Sequence, residues 1–260
     1  MFQVQVNVRN LGYSRNFVNA IERATADILF LCDQDDIWEA PKVESFLHLF
    51  HEYGPDMVFS DGSLIDESGR KFERTTVLKS YGLSRQRISR FRDDAFQLLL
   101  KRNYVNGAAA AIRRIAAQDA LPLPCDMPHD YWLAIWCSLH AGIVATPQPL
   151  YRYRQHHRNV IGIGSSNPIY VWLGIWRHPT APRARELHIW EAVTNRIANL
   201  PCENQVEAAR RKVHWLSRLA AGDRRNLLRA YEILKSALNG SYRRYSHKYS
   251  FLRDMVSLLK

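Results

Sequence analysis

At 260 residues with 47% hydrophobic side chains, the chain is long enough to bury a substantial core, which excludes collagen-like, disordered and disulfide-scaffold classes. Its four cysteines (Cys32, Cys125, Cys137 and Cys202) are scattered without a CxxC pair, which argues for free thiols in a reducing, cytoplasmic setting and against a zinc site. The net charge of +11 is uneven: residues 151–260 hold 20 Lys and Arg against 7 Asp and Glu, whereas residues 1–150 hold 16 against 18, so the basic character belongs to the C-terminal part and suits a polyanionic partner.

In chain order, "FQVQVNV" (2–8) alternates apolar and polar residues and predicts a strand. A helix should follow, capped by Ser14, with Phe17, Ala20, Ile21 and Ala24 on one face. "DILFLC" (27–32) is a short continuous apolar run of the kind buried on both faces of a parallel sheet. Strand, helix and strand at this spacing predict an α/β fold. Pro41 opens the next helix, with Val43, Phe46, Leu47 and Phe50 at helical spacing, and "MVFS" (57–60) reads as another buried strand. "DESG" (66–69) is a turn, and a further helix is expected over about 93–102.

"YVNGAAAAI" (104–112) combines small residues with Gly107, which predicts backbone passing close to another group. "HDYWLAIWCSLHAG" (129–142) puts Trp132, Ile135, Trp136 and Leu139 on one helical stripe, so both tryptophans are read as core, and Gly142 ends the segment. "IVATPQPLYRYRQH" (143–156) returns to extended structure. Beyond about residue 165, where "GIGSSNP" reads as a linker, the pattern is helical and basic. The division is therefore 1–164 for the α/β part and 165–260 for a helical basic region. No stretch offers the roughly 18 apolar residues of a membrane span; "PIYVWLGIW" (168–176) comes nearest.

The residues richest in chemistry are Asp33, Asp35 and Asp36, packed directly behind "ILFLC". Ligands in open α/β sheets bind beyond the carboxyl ends of strands, and adjacent carboxylates there repel one another unless a cation compensates them. Mg²⁺ or Mn²⁺ bridging to a diphosphate would do so. The plain alternative is a solvated loop in which Asp36 supports the turn into the Pro41 helix.

"NLGYSRNFVNAIERATADILFLCDQDDIW", "FSDGSLIDESG", "HDYWLAIWCSLHAG" and "PLYRYRQHHRNVIG", in this order from about residue 7 to 162, resemble successive landmarks of family 2 glycosyltransferases with the GT-A fold, most closely the rhamnosyltransferase-like branch. The resemblance implies a Rossmann-like mixed sheet flanked by helices. It makes Asp33 and Asp35 the carboxylates that meet the metal and the donor's nucleotide diphosphate, with Arg154 and His156 beside the diphosphate and His156 near the metal. Asp130 becomes the general base for the acceptor hydroxyl. Without the resemblance, Asp130 reads as a helix cap, His156 as a surface histidine and Arg152 with Arg154 as edge-strand charge. Asn103, Asn106 and Gly107 suit either an acceptor pocket or a tight turn.

The implied reaction is metal-dependent, inverting transfer of a sugar, rhamnose in that branch, from a nucleotide-diphosphate donor to a glycan or lipid-linked acceptor in cell-surface polysaccharide synthesis. A base on the acceptor side and a stabilised leaving group on the other are what inversion requires. Family members carry a strand, a helix and a second strand ending in an acidic pair ahead of the part that starts here at Met1. The base-binding end of the donor site is therefore expected to be incomplete and activity impaired, and a non-catalytic glycan- or membrane-binding protein is the alternative. The basic helices, "RRKVHWLSRL" among them, are expected either to lie on the anionic inner face of the membrane or to be a solvated face. Nucleic acid is the weakest candidate partner, because the charge accompanies no recognition motif.

Overall fold

The computed structural model describes residues 4–125, 127–155, 183–220, 227–246 and 250–258. Its first part runs α1 (Tyr13–Arg23), β1 (Ile28–Phe30), β2 (Ile37–Trp38), α2 (Lys42–Tyr53), β3 (Met57–Ile65) and β4 (Lys71–Thr76). Three helices follow, α3 (Val77–Ser80), α4 (Arg85–Ser89) and α5 (Phe91–Leu99), then β5 (Ala110–Arg113), α6 (Arg114–Asp119), α7 (His129–Ser138) and β6 (Ile143–Arg154). The C-terminal part contributes α8 (Arg183–Ile197), α9 (Glu203–Ala220), α10 (Leu227–Leu238), α11 (Ser241–Tyr245) and α12 (Ser250–Val256).

The described strands form one mixed sheet in the order β1-β5-β3-β6-β2, with β4 paired to the far half of β3. β3 and β6 are parallel, and the other pairs are antiparallel. Successive side chains of a strand point to opposite faces, and the central strands use both. Met57 and Phe59 of β3, Ala110 and Ile112 of β5 and Ile143 of β6 enter the large core with α5 and α7. Val58, Ala111 and Val144 face the other way, onto Phe46 and Phe50 of α2. "MVFS" is thus a strand buried on both faces, extended to nine residues.

Trp132 and Trp136 both lie in the core, and the Trp132 indole N–H donates to the Ala120 carbonyl at 2.8 Å. Burial removes roughly 200 Å² of such a ring from water, on the order of 5 kcal/mol before conformational entropy is set against it. The C-terminal helices join the same core through Trp190, Val193 and Trp215. Lys212 of α9 reaches the Leu100 carbonyl at 2.6 Å and Glu186 at 2.9 Å, and Arg183 forms a buried fork with Asp254.

Three expectations need correction, and one strand was not foreseen. Residues 4–8 form no strand, and Val4, Val6 and Val8 are exposed: alternation makes a strand only beside a partner, and none lies there among the described residues. β1 is half-buried, closes one end of the strand order and pairs antiparallel with β5, so its apolar run does not mark a strand buried in a parallel sheet. Ser14 does not cap α1; Gly12 holds that position, and the Ser14 hydroxyl instead donates to the Met127 carbonyl. β4, with its polar sequence "KFERTT", had no apolar signal to announce it. The expected linker near 165 lies outside the described residues.

Candidate functional site

The acidic loop owes its position to the strand order. β1 and β2 sit at opposite ends of the sheet, so residues 31–36 must cross it to connect them. The crossing begins where the Leu31 N–H donates to the Ala110 carbonyl and ends where Ile37 pairs with Arg152. Asp33, Asp35 and Asp36 lie on this traverse, beyond the carboxyl end of β1.

Arg154, at the end of β6, secures the loop. Its backbone N–H donates to Asp36 Oδ1 at 2.9 Å and its Nε to the Asp35 carbonyl at 2.9 Å. Its Nη1 donates to the Asp66 and Glu67 carbonyls at 3.2 and 3.0 Å, which ties the loop to the "DESG" turn. Arg152 makes a two-pronged pair with Glu39 at 2.8 and 3.2 Å.

The loop's electrostatics are those of crowded, partly desolvated carboxylates. Burial, with Asp35 beside it, raises Asp33 above the usual carboxylate range. Burial, with the charges of Asp33 and Asp35 adding to it, pushes Asp36 up to about 7 against the opposing Arg154 N–H and Lys42. Asp36 Oδ2 is buried and accepts no hydrogen bond.

The internal counter-charge is Lys42, which the sequence reading missed. It is fully buried at the start of α2; its ammonium donates to the Ala108 carbonyl at 2.6 Å and lies 4.3 Å from the centre of the Trp38 ring. Burial lowers it to about 8, while Asp36 and Asp33 favour its charged form. One signal was available: a lysine in the first helical turn opposes the helix dipole, so it needs another reason to be there.

The second part of the site is built by the turn at Gly107–Ala109 and the start of α7. Asn106 Oδ1 accepts from Ala108 N at 3.0 Å and shapes the turn. Gly107 is needed for close approach: a Cβ there would stand 3.2 Å from His129 Nε2 and 3.7 Å from Asp130 Cβ. Asp130, the second residue of α7, accepts from Gly107 N at 3.2 Å and from Tyr131 N at 2.7 Å. Burial pushes it up to about 6 against those bonds and one from Asn103, and the negative charge of Asp33 is close enough to add to the rise. A carboxylate tuned to that value is ionised at neutral pH yet basic enough to accept a proton in a transition state.

Two flanking features were also missed. His129 is buried and stacked on Phe17, with ring centres 3.9 Å apart, and neither ring nitrogen has a partner. Burial lowers it to about 4, so it is a neutral packing surface beneath Asp130. On the other side Tyr81, raised to about 12 chiefly by burial, feels the charge of Asp130 and lies under the Arg102 guanidinium at 4.7 Å.

The charge of Asp33 is thus felt at Asp130, distant in sequence, while Arg154 holds the acidic loop through Asp35 and Asp36. His156 lies outside the described residues. Among the described residues no three His, Cys, Asp or Glu side chains converge as a ready metal cage. The crowded carboxylates of this loop, with Asp33 raised by burial and by Asp35, nevertheless fit a hard divalent cation that takes its remaining ligands from a diphosphate and water.

Residues 2–120 match the family model for glycosyl transferase family 2. Uncharacterized proteins Mb1547 of Mycobacterium bovis and Rv1520 of Mycobacterium tuberculosis are each 25% identical over 162 residues, covering 62% of this chain and 44% of theirs. The matched region thus spans less than half the length of these curated relatives. The curled mixed sheet flanked by helices is consistent with the GT-A type.

Proposed function

We propose that the chain is a metal-dependent, inverting hexosyltransferase that moves a sugar from a nucleotide-diphosphate donor to a glycan or lipid-linked acceptor in cell-surface polysaccharide synthesis, with rhamnose as the sugar suggested by the sequence landmarks. The observation that carries this reading is Asp130 itself, buried at the start of α7, held by the Gly107 and Tyr131 N–H groups and pushed up to about 6, with the charge of Asp33 on the acidic loop adding to the rise. An anionic loop suited to a metal diphosphate and a carboxylate suited to proton removal are the two groups the reaction needs.

Asp33 and Asp35, with His156, would hold Mg²⁺ or Mn²⁺. When bound, the cation neutralises the diphosphate as it departs. Asp130 takes the proton of the acceptor hydroxyl while its oxygen forms a bond to the anomeric carbon. The bond from that carbon to the diphosphate oxygen breaks on the opposite face, and its electron pair leaves with the nucleoside diphosphate. Arg154 keeps the acidic loop in position through its bonds to Asp35 and Asp36. Asn103 and the Gly107 N–H hold the Asp130 carboxylate in place. The basic C-terminal part favours a peripheral place at the inner face of the cell membrane, where a lipid-linked acceptor would be met.

Thermal melting with Mn²⁺ and a panel of nucleoside diphosphates tests the reading. A ligand at a hundred times its Kd stabilises by about 2.7 kcal/mol, and Asp35→Ala should remove that shift. Asp130→Asn should keep the shift and lose sugar transfer. Absence of a shift with every nucleotide would reject a donor site, and retained glycan binding would then favour the non-catalytic alternative.

A further inference from the structure

α10 is amphipathic in an unusual sense, with one face locked into the protein and a second apolar face turned to solvent. Ile233 and Ser236 are buried on the inner side, where the Trp215 indole N–H donates to the Ser236 hydroxyl at 3.0 Å. Leu227, Tyr231, Leu234 and Leu238, at positions i, i+4, i+7 and i+11, share the outer side and are 87%, 57%, 49% and 91% exposed. An isolated exposed leucine needs no explanation, but four large apolar residues in one stripe do.

The charges around the stripe identify what would cover it. Lys235 lies within it, its ammonium 5.5 Å from the centre of the Tyr231 ring, as a side chain that keeps its head at a polar boundary. α11 follows directly and exposes Arg243 and Arg244. Arg243 also bears on Lys101, which burial first, then Arg87, Arg90 and Arg243, holds below its ordinary value. The carboxylates nearby are already engaged, Glu232 with Arg218 and Asp94 with Arg90 at 2.6 Å. A second copy of the chain laid on this face would bring like charges together. An anionic bilayer would accept the leucines into its acyl boundary and the cations at its headgroups.

We propose that the outer face of α10, with Lys235, Arg243 and Arg244, is a docking surface for anionic phospholipid bilayers. The docking does not depend on the catalytic roles proposed above.

Vesicle flotation of the full chain, without nucleotide, tests it. Binding is expected to vesicles of phosphatidylcholine mixed with phosphatidylglycerol, and much less to phosphatidylcholine alone. Leu234→Ser with Leu238→Ser should weaken binding by ~tenfold or more for each leucine removed, and Lys235→Glu should weaken it selectively on the anionic vesicles. These positions are exposed, so melting temperatures should stay at the parent value and report intact folding. Failure to bind anionic vesicles, or binding unchanged by the leucine substitutions, would overturn the proposal. So would sedimentation showing a lipid-free dimer that the same substitutions dissolve. A donor-induced melting shift that survives any of these results leaves the catalytic reading standing.

Discussion

Asp36→Asn isolates the electrostatic cost of the acidic loop. Asparagine keeps the shape and preserves an oxygen to accept from Arg154 N, but it removes the charge from the buried, unbonded side of the group. Raising the carboxyl from its ordinary 3.8 to about 7 corresponds to roughly 4 kcal/mol of preference for the neutral form. Because Asp36 is only partly buried, solvent screening reduces this to about 2 kcal/mol. The direction follows from the raised value: the folded state holds a proton that the unfolded state has released between pH 4 and 7. Stability from this group is therefore present at low pH and lost as pH rises through about 7. The asparagine variant should be more stable than the parent at pH 8, by about 4–8 °C in Tm, and the two should converge near pH 4. Asp130 and His129 titrate in both proteins, so the difference between them reports position 36 together with its coupling to Lys42 and Asp33. Paired urea and thermal titrations across pH 4 to 8 provide the measurement. A difference independent of pH, or a parent more stable at pH 8, would show that Asp36 does not carry an uncompensated charge.

Gly62→Ala tests the packing beneath the same loop. A Cβ at this position would lie 2.6 Å from the Tyr151 ring Cζ, and Tyr151 is fully buried beside Lys42. Overpacking should cost ~1–3 kcal/mol in urea denaturation, and displacement of Tyr151 and Lys42 should weaken any metal-nucleotide melting shift; unchanged stability would contradict the geometry. Asp254→Ala should destabilise by ~3–5 kcal/mol, because it strands the Tyr242 hydroxyl and leaves the buried Arg183 guanidinium only its pair with Glu186 and a bond to Ser246. A loss below 1 kcal/mol in the same assay would place that pair in a wetter setting than its burial indicates.

Local periodicity made much of the architecture legible before any coordinates. The helix after Pro41, the "MVFS" strand, the tryptophan stripe of α7 and the three longer basic helices all follow from apolar spacing, because a helix or strand must turn one set of side chains toward the core. Gly107 was readable too: small residues around a glycine foretold close approach, and His129 with Asp130 are what it approaches. Residues 4–8 show the limit of that method, since their alternation is as regular as that of any strand in the chain and still forms none.

For the candidate site, the sequence supplied the types of chemical group, with Asp33 and Asp35 behind a strand and Asp130 at a helix start. Their placement was decided by the order of strands. A backbone N–H or C=O pairs alike for nearly every residue, so local pattern marks a strand without naming its neighbour or direction. Only the arrangement with β1 and β2 at opposite ends carries the acidic loop across the sheet, where its charges bear on Lys42 and that of Asp33 is felt at Asp130. The outward stripe of α10 belongs to the same class. Its leucines look like any core stripe until the fold buries the opposite face instead.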